Sequence, residues 1–170
     1  MACIHVILKE FYVDKETPYF TDYVKQYTNL PFLVILEKDG SKYQMGRFLR
    51  ASDIEQYSKE ENADWKLIMT DGEGELHIPT GSIGFRWEKE PTGNWNLQLK
   101  NAVTKKEFDP LLSLLKNDEQ KATVSFSDFT DTFNINIGQT NGKGNKAKEI
   151  LREVPAKKIK TKDGKELLVT

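Results

Sequence analysis

Leu30-Pro-Phe-Leu-Val-Ile-Leu36, then the turn Lys38-Asp-Gly-Ser41, then Tyr43-Gln-Met-Gly-Arg-Phe-Leu49 is the passage that decides the fold. An unbroken apolar run of this length is the mark of a buried strand. The Asp-Gly turn sends the chain back, so Tyr43 to Leu49 is expected as the second strand of a hairpin.

Upstream, Thr17 stands before Pro18, an N-cap followed by proline at the first helical position. Phe20, Val24 and Tyr27, flanked by Tyr19 and Tyr23, recur at helical spacing, which predicts a helix packed through its aromatic face. Earlier still, Cys3, Val6 and Ile7 with Ile4 and Leu8 fit either the last turns of a helix lacking its cap or a short strand. Ser52-Asp-Ile-Glu55 has the form of a capping box and predicts a short helix.

From Trp65 onward short strands alternate with glycine-rich turns. Trp65 to Thr70 and Glu75 to Ile78 are expected to pair across Asp71-Gly-Glu-Gly74. Gly81 to Trp87 should pair with Trp95 to Leu99 across Pro91-Thr-Gly-Asn94. Asp109-Pro110 predicts a short helix through Leu111, Leu112, Leu114 and Leu115. Lys121 to Phe126 and Thr132 to Ile137 are further strands, and Gly138 to Asn145 is a loop by composition. Lys157 to Lys160 and Leu167 to Thr170 form a last hairpin across Lys162-Asp-Gly-Lys165. The expected class is α+β, with helices mainly in the N-terminal half and antiparallel hairpins in the middle and C-terminal parts. The organisation is a helix and strand portion over 1–58 and a hairpin-rich portion over 59–170, with a variable loop near 138–147, all in one unit. Both ends look cut, because the chain opens on an uncapped stripe and stops within an apolar strand.

Composition narrows the function classes. In 170 residues the chain carries 9 Phe, 6 Tyr and 3 Trp, too many aromatics for a disordered chain. A formal net charge of -1 gives no overall attraction to nucleic acid or anionic lipid. The last thirty residues, 141–170, hold nine Lys and Arg against four Asp and Glu, but without interleaved aromatics. They are expected on a solvated face or in intramolecular contacts, so no nucleic-acid partner is expected. Cys3 is the only cysteine, which rules out an internal disulfide and any multi-cysteine metal site within the chain. With no signal or apolar spanning segment either, a cytoplasmic setting is expected.

Candidate chemistry is sparse. His5 and His77 are the only histidines, and neither has a second ligand at metal spacing. Gly138 to Asn145 fails as a phosphate loop because Lys143 is followed by Gly144 where Ser or Thr is needed. Asp71, Glu73 and Glu75 alternate around glycines without the calcium-loop pattern. Cys3 has no evident base beside it. No catalytic residue and no metal ligand is assigned, and cofactor-binding residues are unknown.

Several segments nevertheless resemble one family in order and spacing. They are His5-Val-Ile-Leu-Lys-Glu10, Tyr19-Phe-Thr-Asp-Tyr-Val24 with Tyr27-Thr28, Phe32-Leu-Val-Ile-Leu-Glu37, and Gly46-Arg-Phe-Leu-Arg-Ala-Ser-Asp53. Gly81-Ser-Ile-Gly-Phe-Arg-Trp87, Trp95-Asn-Leu97, Leu112-Ser-Leu-Leu115, Val154-Pro155, Asp163-Gly164 and Leu168-Val-Thr170 complete the series. Together they resemble the catalytic alpha subunit of membrane-bound respiratory nitrate reductase, a molybdopterin oxidoreductase related to dimethyl sulfoxide reductase. Phe126 to Lys148 matches least.

The resemblance implies an internal fragment whose parent reduces nitrate to nitrite with quinol-derived electrons. The parent's cofactors would be a molybdenum bis-pyranopterin guanine dinucleotide and a 4Fe-4S cluster. Its partners would be an iron–sulfur beta subunit and a membrane haem gamma subunit, which hold it to the inner face of the cell membrane. Residues 1–58 would belong to the parent's molybdopterin-binding region. The family's iron–sulfur and molybdenum ligands have no counterpart here, so the chain alone is expected to be inactive. Arg47, Arg50 and Arg86 lie in the resembling motifs and are candidates for phosphates or for ion pairs. A stand-alone protein-binding module is the alternative. A severed segment is also expected to self-associate through Leu30 to Leu36 or the terminal strand.

Overall fold

The computed structural model describes residues 14–15, 17–85, 88, 97–114, 120–128 and 148–170. Several expectations fall outside these residues: the stripe from Cys3 to Leu8 with His5, Arg86, the Pro91 to Asn94 turn, the strand from Thr132 to Ile137, and the loop from Gly138 to Asn145.

The fold is α+β, with mainly antiparallel strands. Among the described residues there is one α-helix, α1 (Pro18–Tyr27), with Pro18 in its first turn. The deciding passage forms the expected hairpin, β1 (Val34–Asp39) and β2 (Lys42–Phe48), paired from Val34↔Phe48 to Asp39↔Lys42. Gly40 turns it at φ +61, a left-handed conformation that costs glycine little. Short pairs follow: β3 (Met69–Thr70) with β4 (Leu76–His77), and β5 (Pro79–Thr80) with β6 (Gln98–Asn101). Beyond them lie β7 (Lys121–Asp128), β8 (Lys148–Pro155), β9 (Lys157–Lys160) and β10 (Glu166–Val169).

Six strands form one sheet in the order β8-β7-β2-β1-β10-β9. Only Ala156 separates β8 from β9, yet these strands are the sheet's two edges. Neighbouring strands stand about 4.8 Å apart, so a flat sheet of this order would hold its edges more than about 20 Å apart. One residue spans at most about 3.6 Å. The sheet is therefore rolled until its edges meet at Ala156. Hydrogen bonds fasten the seam: Ala156 N–H donates to Gln120 O at 2.8 Å, and Thr170 Oγ1 donates to Pro155 O at 2.7 Å. A small apolar cluster of Leu36, Ala122, Val124 and Ala156 packs with Tyr43, Val154 and Leu168. A larger cluster packs Ile35, Ile159 and Val169 of the sheet against Leu49, Ile54, Tyr57, Ile68, Ile78, Phe85 and Leu114. Alternation along β1, with Ile35 in one cluster and Leu36 in the other, is what lets a single strand serve both.

Several expectations are corrected. Trp65 sits in a 3-10 turn (Ala63–Trp65) and is 61% exposed, leaving only Met69–Thr70 as strand. Gly81 to Trp87 is not a strand over its described part: Ile83–Phe85 is a 3-10 turn, and β6 pairs with Pro79–Thr80 instead. Residues 111–113 are not helical, because Pro110 bridges to Asp71 and Leu111 N–H donates to Thr70 O, which draws the segment alongside β3. The Ser52 box gives two 3-10 turns split by extended Ile54, in place of one helix. Its capping is done by Asp53 Oδ2, which accepts Arg50 N–H at 2.9 Å. Strand β8 was not anticipated.

The face of α1 also differs from expectation: Val24 is buried, but Tyr19, Tyr23 and Tyr27 are exposed. Most of both segments expected to drive self-association is engaged internally, Leu30 excepted. Phe32, Leu33, Ile35 and Leu36 are buried, and β10 is paired on both sides, by β1 and β9.

Candidate functional site

The densest polar constellation surrounds His77. Alternation on β4 points its ring away from Leu76 and Ile78 and toward Asp71 and the end of β6. His77 Nε2 lies 2.8 Å from Asp71 Oδ2, and His77 Nδ1 lies 3.0 Å from Asn101 Nδ2. Asn101 Oδ1 accepts the N–H groups of Val103 and Thr104, at 2.9 and 3.1 Å, so the amide turns its NH2 toward the ring. An amide NH2 can only donate, so Nδ1 accepts, and Nε2 carries the proton given to Asp71. Asn101 Nδ2 also donates to Tyr57 Oη at 3.0 Å, and Tyr57 Oη donates to Leu76 O at 2.6 Å. Phe108 stacks on the imidazole at 4.2 Å between centroids.

Aspartate, histidine and a hydroxyl in one chain of bonds suggest acid–base chemistry, but the geometry opposes it. Both imidazole nitrogens are engaged, Nε2 with Asp71 and Nδ1 with the Asn101 amide, which has no proton to transfer at neutral pH. Tyr57 is buried, and burial pushes its hydroxyl above the ordinary tyrosine range, further from ionisation. Burial would raise the Asp71 carboxyl, but the hydrogen bonds from His77 and the N–H groups of Glu75 and Glu73 outweigh it and hold it below the ordinary range. The constellation ties the Glu55–Tyr57 turn, the β3-β4 hairpin and the 101–108 loop together.

A second cluster is cationic. Lys66 is 2% exposed; its Nζ pairs with Glu88 Oε1 at 2.5 Å and lies 4.3 Å from the Phe85 ring centroid. Of the three candidate arginines, Arg47 grips Asp53 with two nitrogens, at 2.7 and 2.6 Å, and Arg50 presents its backbone N–H to the same carboxylate. Burial alone would raise the Asp53 carboxyl; Arg47 and the Arg50 N–H bring it below the usual range instead. Arg47 is thus an ion-pairing residue.

The basic C-terminal hairpin lines a cleft of about 470 Å³ with Lys157, Lys158 and Lys160, faced by Glu55 and Gly74. Lys157 Nζ donates to Gly74 O, and Lys158 pairs with Glu166 at 3.2 Å, so these cations make intramolecular contacts. Among the described residues, no group of three or more His, Cys, Asp and Glu side chains could hold a metal ion, and no helix is long and apolar enough to cross a membrane.

Sequence reasoning singled out His77 and the Asp71 turn but not Tyr57, Asn101 or Lys66. The one available hint was Asn101-Ala-Val-Thr104, an Asn at the head of a turn, where its side chain readily caps the next N–H groups. Nothing in the sequence marks Lys66 as buried.

Fold and site together define an α+β unit in which the His77 and Lys66 clusters pair internally. Its relatives are the alpha chains of nitrate reductases. The chain is 38% identical over 175 residues to the respiratory nitrate reductase 1 alpha chain of Escherichia coli (strain K12), covering 100% of this chain and 13% of that protein. It is 37% identical over 171 residues to the nitrate reductase alpha chain of Bacillus subtilis (strain 168), covering 100% of this chain and 12% of the relative. To the nitrate reductase alpha subunit of Mycobacterium tuberculosis (strain CDC 1551 / Oshkosh) it is 46% identical over 104 residues, 61% of this chain and 8% of the relative. The chain is a nitrate reductase alpha-chain segment in sequence, spanning about an eighth of the length of the E. coli and B. subtilis relatives, as the 13% and 12% coverages state. No protein-family model matches it.

Proposed function

We propose that the chain is a structural segment of a respiratory nitrate reductase alpha subunit and has no nitrate reductase activity by itself. The observation that carries this reading is the match over the whole of this chain to about an eighth of a nitrate reductase alpha chain. The parent subunit reduces nitrate to nitrite with quinol-derived electrons, at a molybdenum bis-pyranopterin centre served by a 4Fe-4S cluster. It works with iron–sulfur beta and membrane haem gamma subunits at the inner face of the cell membrane.

The described residues offer no ligand set for such a group. Among the described side chains no cluster of metal-ligating groups is available, and the His77 nitrogens are both engaged. No step of nitrate reduction is therefore assigned to this chain. Its part is to keep one shape within the larger subunit. What supports residues 1–58 and 59–170 acting as one unit is that β1, from the first, lies between β2 and β10, the latter from the second.

Molybdenum analysis of the purified chain, with nitrate turnover driven by a reduced viologen dye, tests the reading. Neither bound molybdenum nor nitrite formation is expected. Stoichiometric molybdenum with turnover would overturn it.

A further inference from the structure

Helix α1 presents three tyrosines at i, i+4 and i+8. Tyr19 is 82% exposed, Tyr23 51% and Tyr27 54%. Residues at this spacing lie one above another on a helix, so the three make a single row about 12 Å long. Tyr23 and Tyr27 stack with centroids 4.9 Å apart, which turns the lower part of the row into a preformed aromatic surface. Other contacts fix the helix from its remaining sides. Val24 is buried, Lys25 Nζ pairs with Asp109 Oδ1 at 2.5 Å, and Gln26 O accepts Leu97 N–H at 2.8 Å. Just past the helix, Leu30 adds further exposed apolar surface.

We propose that this tyrosine row is the face by which the segment docks onto the rest of its own alpha chain, a proposal that rests on the reading above. Tyrosine suits such a boundary, because it buries a large ring while its hydroxyl keeps a polar partner or water. The size of the row selects the occupant. A fully covered tyrosine buries about 150–250 Å², and these are already partly covered. They supply well under the about 800 Å² per partner typical of a stable complex between separate proteins. A patch too small to hold a free partner suits a tethered one, where covalent continuity supplies a high effective concentration. The relatives offer such a partner: the segment matches only 13% of the E. coli alpha chain, so most of that polypeptide lies outside it.

Hydroxyl-radical footprinting read by mass spectrometry, on the 170-residue chain and on the alpha subunit purified from the source organism, tests the proposal. Tyr57, 1% exposed, serves as the internal standard for a tyrosine protected in both. Tyr19, Tyr23 and Tyr27 should oxidise readily in the chain alone and severalfold more slowly in the long subunit. Equal oxidation in both would overturn the proposal while leaving the segment reading intact. Protection in the chain alone, with sedimentation as a dimer, would also overturn it, by making a second copy the occupant. If the source makes only the short chain, the segment reading itself fails, and this proposal with it.

Discussion

Replacing Asn101 by alanine tests whether the His77 cluster is a structural clasp. The Asn101 side chain donates to Tyr57 Oη and His77 Nδ1 and accepts from the N–H groups of Val103 and Thr104. In Asn101→Ala all four bonds vanish. Val103 and Thr104 are exposed, so water can replace what they lose. Tyr57 keeps its bond to Leu76 O. His77 Nδ1, enclosed between Phe108 and the end of β6, has no such recourse. A buried polar group stripped of its partner costs about 1–3 kcal/mol. The small void left by the amide and the looser 101–108 loop bring the expected loss to about 2–4 kcal/mol. With a urea slope of about 2 kcal/mol/M, the midpoint falls by about 1–2 M. Equilibrium urea unfolding of the purified chain, followed by tryptophan fluorescence, is the assay. Val103→Ala, on the exposed side of the same turn, should change stability by less than about 0.5 kcal/mol and serves as the control. An Asn101→Ala midpoint indistinguishable from the parent would refute the clasp.

The other expectations rest on separate contacts. The folded Asp71 carboxyl lies below its ordinary value, so its contribution to stability is complete above the unfolded value of about 3.9 and is lost as pH falls through the lower folded one. Asp71→Asn should lower stability at neutral pH and flatten its fall on acidification below about pH 4, read from urea midpoints across the acid range; an unchanged acid slope would contradict the assignment. At Lys66 the two halves of the ion pair should behave unequally. Glu88→Ala leaves the buried ammonium alone and should cost about 3–5 kcal/mol, whereas Lys66→Met should be close to neutral. Thermal unfolding distinguishes them, and equal losses would count against a desolvated pair. A Cβ on Gly46 would stand 2.9 Å from Ile35 O and 2.9 Å from Glu37 Cγ. Gly46→Ala should therefore destabilise the β1-β2 hairpin by about 1–3 kcal/mol, and an unaltered melting temperature would show that the hairpin relaxes freely.

Local signals were legible where chemistry is local. The apolar run before an Asp-Gly turn announced β1 and β2, Thr17-Pro18 announced α1, and Lys162-Asp-Gly-Lys165 announced the β9-β10 hairpin. Non-local pairing was not legible. The segment after Pro110 has helical spacing in its leucines, yet the free N–H of Leu111 finds Thr70 O, and the segment runs alongside β3 instead. Strand β8 reads as a charged stretch because it is an edge strand, with Glu149, Leu151, Arg152 and Glu153 exposed. The roll of the sheet depends on a single residue between β8 and β9, which no periodicity reveals. At the candidate site, His77 was visible as a histidine on a strand. Its closure by Asn101 and Tyr57 joins positions 24 and 20 residues away, a matter of packing.

On the proposed reading, this sequence works as part of a longer alpha chain. An antibody against the 170-residue chain, used on a denaturing gel of the source cells grown with nitrate as respiratory acceptor, tests it most directly. The expected product is a polypeptide several times the 19.6 kDa of the chain, yielding peptides from this segment and from nitrate reductase sequence on either side. A single product of 19.6 kDa, with no longer species carrying these peptides, would contradict it.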